Sequence, residues 1–260
     1  MPNKKGRREF LLSSGTAIAA TTFLTNKSVA QENNFVIEPP NIVSMKIFGS
    51  DKRFPVRRVF CLGRNYRAHA IESGDNPDLN PPFFFIKPRD AVIDADIGFK
   101  YPSMTNACRY EGEMVVALSS GGVDIKQDNA LDHVYAYGVG LDMTREDLQR
   151  NAQKLSRPWA ISKSFDNSAP CGPLYKVSEH GHAIDGRIWL SVNDEIKQDS
   201  LLSLQRWSVS EGISILSQHY ELKAGDIIMT GTPEGIGLVK KGDIIRVGID
   251  GLDEIKVEVT

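Results

Sequence analysis

The clearest strand signal in the chain is the run Tyr110-Glu111-Gly112-Glu113-Met114-Val115-Val116-Ala117-Leu118. Its β-branched and other apolar residues predict a strand over 111–118. Side chains two positions apart on a strand share one face, about 6–7 Å from each other, so Glu111 and Glu113 point the same way. Because the neighbouring residues are apolar, we expect this face to lie inward, where two like charges repel and a cation would relieve the repulsion.

A third carboxylate follows a second predicted strand, over 134–141. Asp142 stands directly after this strand, and functional residues accumulate at strand ends. Three hard oxygen ligands with no nearby cysteine or histidine favour Mg²⁺ or Mn²⁺ over Zn²⁺, and Ca²⁺ is also compatible. The alternative is an edge strand with solvated glutamates, in which Asp142 merely precedes the next helix.

That helix is predicted over 144–155. Thr144 is its expected N-cap, because a side-chain oxygen there can accept a free backbone N–H. Leu148 and Leu155 recur at helical spacing, and we expect them to form one apolar stripe.

A histidine and a carboxylate share one face of a short helix predicted over 66–73. His69 and Glu72 lie three residues apart, which makes them neighbours on a helix surface. A carboxylate beside an imidazole orients its tautomer and raises its basicity, as a base that activates water requires. The alternative is an exposed pair that contributes little to stability.

Two lysines and a glycine-rich loop are candidates for binding an anion. Lys87 follows the apolar run Phe83–Ile86, and Lys163 precedes Ser164-Phe165-Asp166. Each lysine could neutralise an anion or extend into solvent. The loop over 230–237, Thr-Gly-Thr-Pro-Glu-Gly-Ile-Gly, could offer amides and hydroxyls to a carboxylate, or be an ordinary turn. It lacks the lysine of a P-loop and the glycine order of a dinucleotide site, so it implies no nucleotide.

The composition is that of an ordinary folded protein. Of 260 residues, 41% are hydrophobic and 25% charged. The net charge is −2, and residues 1–30 carry five cations and one carboxylate, so the remainder carries −6 and predicts no nucleic-acid-binding face. The cysteines are odd in number and lack CxxC spacing, which excludes a disulfide framework and a thiolate zinc site; they are Cys61, Cys108 and Cys171.

The first thirty residues have the pattern of an export signal. Lys4-Lys5-Gly6-Arg7-Arg8 precedes a mild apolar stretch over 11–24, and Ser28-Val29-Ala30 supplies a small-residue cleavage site. The paired arginines followed by Glu-Phe-Leu resemble a twin-arginine signal, which exports folded proteins, with Gly6 where serine or threonine is usual. We therefore expect a periplasmic protein cleaved after Ala30. The stretch is too short and too polar to anchor it in a bilayer.

The rest of the chain is predicted as an N-terminal extension over 31–55 and one domain over 56–260. Its class is α+β, a mixed β-roll or sandwich with a few short helices. Residues 222–231 and 239–248 share Lys, Gly, Asp and two Ile at matching places. Gly-Asp before a β-branched pair indicates a turn that leads into a strand, so we expect these two segments to form neighbouring strands.

Together these pieces resemble the fumarylacetoacetate hydrolase family, over about residues 56–259. Single motifs are weak, but seven in the family's order are specific. In this sequence they are Gly63-Arg64-Asn65-Tyr66-x-x-His69-x-x-Glu72, Phe84-Phe85-Ile86-Lys87-Pro88, Glu111-x-Glu113, Asp142-x-Thr144-x-x-Asp147-Leu148-Gln149, Lys163-Ser164-Phe165-Asp166, Gly172-Pro173 and Thr230-Gly231-Thr232-Pro233. The segments 81–85, 157–159 and 168–173 are most similar to the fumarylpyruvate and acylpyruvate hydrolase branch.

The resemblance implies a β-roll, usually as a homodimer, that cleaves a C–C bond of an acylpyruvate such as fumarylpyruvate. It implies Mg²⁺ or Mn²⁺ at three carboxylates, which are Glu111, Glu113 and Asp142. It implies that His69, oriented by Glu72, activates water, and that Lys163 stabilises the developing negative charge. The substrate-binding residues that it implies are Arg64, Lys87, Gln149, Gly231 and Thr232.

Two positions depart from the family's pattern. Four residues after the metal-binding aspartate the family often has an arginine that meets the substrate, and this chain has Glu146 there with Arg145 beside it. Lys163 is followed by Ser164 where glycine is usual.

Other activities are compatible with the same residues. Relatives with this metal site decarboxylate oxaloacetate or isomerise related keto-enol acids, and a non-catalytic periplasmic binder of dicarboxylates is a further alternative. The presence of both His69 and Glu72 favours hydrolysis or decarboxylation over isomerisation.

Overall fold

The structure, a computed structural model, describes residues 35–260, and residues 41–260 form one compact unit. The predicted export signal lies outside the described residues. In chain order the strands are β1 Ser44–Ile47, β2 Ser50–Pro55, β3 Arg58–Gly63, β4 Phe83–Lys87, β5 Val92–Asp94, β6 Cys108–Tyr110, β7 Gly112–Leu118, β8 Val134–Leu141, β9 Thr144–Arg145, β10 Ala169–Cys171, β11 Tyr175–Lys176, β12 Arg187–Val192, β13 Glu195–Leu201, β14 Asp226–Met229, β15 Gly237–Val239, β16 Ile244–Ile249 and β17 Ile255–Glu258.

The helices are short, and the longest lies late in the chain. They are α1 Arg67–Glu72, α2 Gln127–Ala130, α3 Glu146–Lys154, α4 Ala160–Lys163, α5 Val177–His180 and α6 Val209–His219. Single 3₁₀ turns cover Arg89–Ala91, Ala95–Ile97, Leu131–His133 and Leu202–Leu204. No helix among residues 35–260 is long and apolar enough to cross a membrane.

The largest sheet is mixed. Its strand order is β4-β3-β14-β7-β8-β10-β5, with β11 also paired to β8. The pairs β3–β14 and β5–β10 are parallel and the remaining pairs are antiparallel. The predicted α+β class, a mixed β-roll with a few short helices, is confirmed.

Strand β7 lies inside this sheet and is buried along its whole length. Met114 and Val116 on one face belong to a core shared with Leu190 and Val247 of the antiparallel sheet β13-β12-β16-β17. The other face of β7, with Val115, packs in a second core. Burial on both faces explains the nearly continuous apolar run.

The hairpin β1–β2 contributes to that second core. Met45 and Phe54 are buried there beside Val59. Because the compact unit starts at residue 41, this hairpin is part of it, although the sequence placed it in the extension.

The prediction of an N-cap at Thr144 is wrong. Thr144 lies in β9, paired with Arg109 of β6, and its hydroxyl donates to Glu111 Oε1 at 3.3 Å. Helix α3 begins two residues later, at Glu146. The Thr144 side chain points inward because a buried carboxylate accepts its hydrogen bond. An N-cap position on the surface would not place the hydroxyl beside that carboxylate.

The predicted apolar stripe of α3 is also wrong. Its buried residues are Glu146, Gln149 and Ala152, whereas Leu155, just after the helix, is 47% exposed. This helix turns a polar face inward because it borders a polar cavity rather than the core.

The two matching segments do not form neighbouring strands. Strand β14 lies in the large sheet and β16 in the four-stranded sheet. The turns are nevertheless alike, because Asp226 and Asp243 each accept the backbone N–H three residues earlier at 2.9 Å. Local sequence thus specifies the turn, whereas long-range pairing selects the sheet.

Candidate metal centre and active site

Strand register brings the three predicted carboxylates together. Gly112 pairs with Leu141 across β7 and β8, and the Asp142 backbone N–H donates to the Glu111 carbonyl at 2.8 Å. One oxygen each from Glu111, Glu113 and Asp142 lies within 4.8 Å of the others, and all three residues are buried. The alternative of solvated glutamates on an edge strand is therefore wrong. We call these three residues the carboxylate cluster.

Lys163 places its ammonium between two members of the cluster. Its Nζ lies 2.7 Å from Glu111 Oε2 and 2.8 Å from Asp142 Oδ2. Burial disfavours the charged lysine, but the Asp142 and Glu111 charges outweigh burial and raise the pKa of Lys163. Burial alone would raise the pKa of the Glu111 carboxyl. The positive charges of Lys163 and then Arg109 outweigh burial, so this pKa lies well below the usual range. The alternative that Lys163 extends into solvent is wrong.

Glu113 is held differently. Burial, and then the charges of Asp142 and Glu111, raise the pKa of Glu113 well above its usual value. Its Oε2 accepts the Gly231 N–H at 2.8 Å. Gly231 has φ +92°, and a Cβ there would lie 2.7 Å from the Asn65 Cβ, so the loop needs glycine to make this approach.

His69 and Glu72 form the predicted pair, in which the histidine is buried whereas 33% of the Glu72 side chain is exposed. His69 is 5% exposed, and its Nδ1 lies 3.2 Å from Glu72 Oε2. Burial favours a neutral carboxyl, but the hydrogen bonds from His69 and from the Gly235 N–H outweigh it and lower the pKa of Glu72. An ionised carboxylate can only accept, so Nδ1 carries the proton and Nε2 of His69 is left as the basic nitrogen.

A cavity of about 500 Å³ joins this pair to the carboxylate cluster. All predicted site residues except Lys87 line it. They are Arg64, His69, Glu72, Glu111, Glu113, Asp142, Gln149, Lys163, Gly231 and Thr232.

Lys87 is fully buried behind the cavity wall and does not line the cavity, so the alternative that it extends into solvent is wrong. The anion that Lys87 faces is a carboxylate of the protein. Its Nζ is 2.8 Å from Asp142 Oδ1. The ammonium donates to the carbonyls of Met143 and Lys163 and to Ser168 Oγ, at 3.2, 2.5 and 2.9 Å. Lys87 therefore holds Asp142 in place from outside the site.

Replacing Lys87 by methionine should lower the free energy of unfolding by about 3–5 kcal/mol, because a buried charge and three acceptors lose their partner. Urea unfolding of the metal-free protein measures this. The matched control is Lys46→Met, which removes an exposed pair with Asp96 and should change stability far less. Equal losses in the two variants would contradict the inward role of Lys87.

Sequence reasoning missed Arg109 as a site residue. It is buried and lines the cavity, with Nε 3.0 Å from Glu111 Oε1 and Nη2 3.0 Å from Gln149 Oε1. The signal was present, because Arg109 precedes Glu111 by two residues and period two puts them on one side of an extended segment.

An aromatic wall on the cavity was also missed. Phe83 and Phe85 alternate on β4, and their ring centroids lie 5.5 and 6.1 Å from that of Trp159. The Arg64 guanidinium lies 5.7 Å from the Trp159 centroid and 3.0 Å from Asp75. Alternation of aromatic residues along the strand was the available signal.

The residues of the carboxylate cluster fit a hard divalent cation. Asp142 Oδ1 is buried and lies 2.8 Å from the Lys87 ammonium, but it accepts no hydrogen bond because Lys87 donates to three other acceptors. Glu113 bears the repulsion of its two neighbours. A cation would relieve both conditions, and an all-carboxylate set suits Mg²⁺, Mn²⁺ or Ca²⁺ rather than Zn²⁺.

Comparison with known proteins shows the family of this chain and a relative that binds a divalent metal ion. The pattern described as fumarylacetoacetate (FAA) hydrolase C-terminal matches residues 58–260. The chain belongs to the fumarylacetoacetate hydrolase family. A similar solved structure is fumarylpyruvate hydrolase from Pseudomonas aeruginosa in complex with Mn²⁺ and pyruvate. It is 49% identical with a TM-score of 0.86, and the match covers 87% of this chain and 99% of that one.

Two further relatives of this chain have names that describe different activities. The fumarylpyruvate hydrolase of Ralstonia sp is 38% identical over 178 residues, which cover 68% of this chain and 92% of the relative. The mitochondrial oxaloacetate tautomerase of Mus musculus is 35% identical over 206 residues, covering 78% and 91%.

The two departures from the family's pattern have different structural settings. Ser164 has φ −104°, which any residue adopts, and its hydroxyl donates to the Ile86 carbonyl at 2.6 Å, so glycine is not needed there. Glu146 lines the cavity, whereas Arg145 does not. The Arg145 guanidinium instead lies 4.5 Å from the Phe165 ring centroid.

Proposed function

We propose that this protein hydrolyses an acylpyruvate, a 1,3-diketo acid, to a carboxylic acid and pyruvate in a Mg²⁺- or Mn²⁺-dependent reaction. The observation that carries the proposal is that the His69–Glu72 pair and the carboxylate cluster line one cavity. Isomerisation needs no base that activates water, whereas hydrolysis does. The similarity to two fumarylpyruvate hydrolases supports the same conclusion.

The carboxylate cluster and the His69–Glu72 pair would act on different ends of the substrate. A bound Mg²⁺ or Mn²⁺ ion supplies a Lewis acid for the 2-keto acid end of the substrate. Nε2 of His69 takes a proton from water, whose oxygen attacks the distal carbonyl carbon, and Glu72 stabilises the imidazolium. The C–C bond then breaks, its electron pair enters the enolate of pyruvate, and the proton held by His69 is returned to that product.

The remaining residues would orient the substrate and balance its charge. Lys163 lies beside Glu111 and Asp142, where it can stabilise negative charge that develops on the keto acid. The Gln149 carbonyl oxygen accepts from Arg109, which leaves its amide N–H groups to donate to substrate. Thr232 Oγ1 accepts from Gln198 at 2.8 Å, so the hydroxyl proton remains available.

A panel of substrates tests the proposal. The full chain is assayed with acetylpyruvate, fumarylpyruvate and oxaloacetate, with Mn²⁺ or Mg²⁺ and after chelation. We expect metal-dependent release of pyruvate from at least one acylpyruvate. Turnover of neither acylpyruvate would refute hydrolysis, and binding without turnover would favour a non-catalytic binder.

A second candidate is action on oxaloacetate, as a tautomerase or decarboxylase. The similarity to the mitochondrial oxaloacetate tautomerase favours it. Oxaloacetate turnover without acylpyruvate cleavage in the same panel would select it.

We further propose that the protein is exported by the twin-arginine machinery, with the leader over 1–30 removed, and that it acts as a periplasmic homodimer. The leader pattern in the sequence supports export, and the family resemblance supports the dimer. Changing Arg7 and Arg8 to lysine should move the protein from the periplasmic to the cytoplasmic fraction. Light scattering of the purified protein should give twice the mass of one chain.

A further inference from the structure

A carboxylate on the cavity wall is shared by two guanidinium groups. Glu146 opens α3 and lines the cavity, and its side chain is only 11% exposed. Its Oε1 lies 2.5 Å from Arg150 Nη2 and 3.7 Å from Arg109 Nη1. Glu146 therefore neutralises positive charge that the buried Arg109 and the 75%-exposed Arg150 bring to this wall.

The other cations on the wall are also engaged. Arg64 lies 3.0 Å from Asp75, and Lys163 contacts the carboxylate cluster. Among residues 35–260, each arginine or lysine that lines this cavity has a carboxylate partner. A second substrate carboxylate would have to compete with one of these partners.

The charge balance of the cavity also disfavours a second substrate carboxylate. Four cations and five carboxylates line the cavity, a formal charge of −1 when all are ionised. A divalent cation at the cluster makes the charge +1. Behind the wall, Lys87 and Asp75 cancel. One substrate carboxylate then gives neutrality, whereas a second leaves a net negative charge in a partly buried place, which is unfavourable.

The aromatic wall can bind an uncharged group of the substrate. Phe83, Phe85 and Trp159 present apolar ring surface to the cavity, which suits an alkyl or other neutral acyl chain. An additional carboxylate at this wall would lose hydration and would have to compete with Asp75 for Arg64, whose guanidinium lies over Trp159.

We infer that Glu146 makes this site selective for monoanionic acylpyruvates, whose acyl group is neutral, over dianionic ones such as fumarylpyruvate. The inference rests on the proposed hydrolysis and names the substrate class. Glu146 sets this preference through charge and through its hold on Arg109 and Arg150, and it does not take part in bond cleavage.

The test compares kcat/KM for acetylpyruvate and fumarylpyruvate at saturating Mn²⁺. The wild type should prefer acetylpyruvate. Glu146→Gln, which keeps the shape and removes the charge, should shift the ratio toward fumarylpyruvate at least about tenfold. The matched control Glu254→Gln removes an equal charge from an exposed pair with Arg246 and should leave the ratio unchanged.

A binding measurement separates selectivity from chemistry. In a His69→Asn background, in which turnover is slow, calorimetry gives the Kd of each substrate with and without Glu146→Gln. The affinity for fumarylpyruvate should rise and that for acetylpyruvate should change much less. Preference of the wild type for fumarylpyruvate, an unchanged ratio in Glu146→Gln, or an equal shift in Glu254→Gln would overturn the inference while leaving hydrolysis intact. Turnover of neither substrate would overturn hydrolysis itself.

Discussion

Replacing Glu111 by glutamine is expected to remove metal binding and acylpyruvate turnover together. Glutamine keeps the size of the side chain but loses the charge that faces Lys163 and Arg109. Loss of a direct ligand should weaken Mn²⁺ binding at least about a hundredfold, more than the loss of an outer-shell partner does. Because the bound ion contributes several kcal/mol to the reaction, kcat/KM should fall about a thousandfold.

Metal binding, turnover and folding are measured for Glu111→Gln and for one control variant. Calorimetric titration with Mn²⁺ reports the site directly, and far-UV circular dichroism shows whether the fold persists. Glu258→Gln changes an exposed glutamate on strand β17 and should preserve both affinity and rate. Retained metal content with wild-type turnover in Glu111→Gln would reject the carboxylate cluster as the metal site.

Replacing His69 by asparagine should separate catalysis from metal binding. Removal of a positioned general base typically costs about 10²–10⁴-fold in rate, so hydrolysis should fall within that range. The Mn²⁺ affinity should stay close to that of the wild type, since the three grouped carboxylates do not include His69. Pyruvate release and Mn²⁺ titration on the same preparation test both parts.

Replacing Glu72, the partner of His69, should reduce the rate less than replacing His69 itself. Glu72→Gln keeps a hydrogen-bond acceptor for Nδ1 but loses the charge that stabilises the imidazolium, so its loss of rate should be smaller than that of His69→Asn. His219→Asn alters an exposed histidine on α6 and serves as the matched control. A wild-type rate of pyruvate release by His69→Asn would show that another group activates water. The proposed role of His69 as the general base would then be wrong.

Local patterns were enough to predict the elements that bear the site. The apolar run after Glu113 and the strand ending before Asp142 depend on residues that are close in the chain. The three-residue spacing of His69 and Glu72 is likewise a property of one helix turn. Periodicity measures such local relations, so the fold class and the acidic and basic groups could be predicted from it.

Several partners could not be predicted because they come from distant parts of the chain. Helix α3 turns Glu146 inward because its neighbours are the arginines of the cavity and not an apolar core. Thr144 donates to Glu111 rather than capping that helix. No helical period contains this information, since it depends on what packs against the helix.

The amino-acid order alone therefore specified the strands, the turns and the supply of carboxylates, because these follow from backbone geometry over a few residues. Tertiary structure alone decided that Asp142 stands opposite Glu111, that Lys87 lies behind the site and that Arg109 faces into it. The reason is physical: a buried charge is stable only beside its counter-charge, and strand register, set by the packing of whole sheets, determines which charges meet.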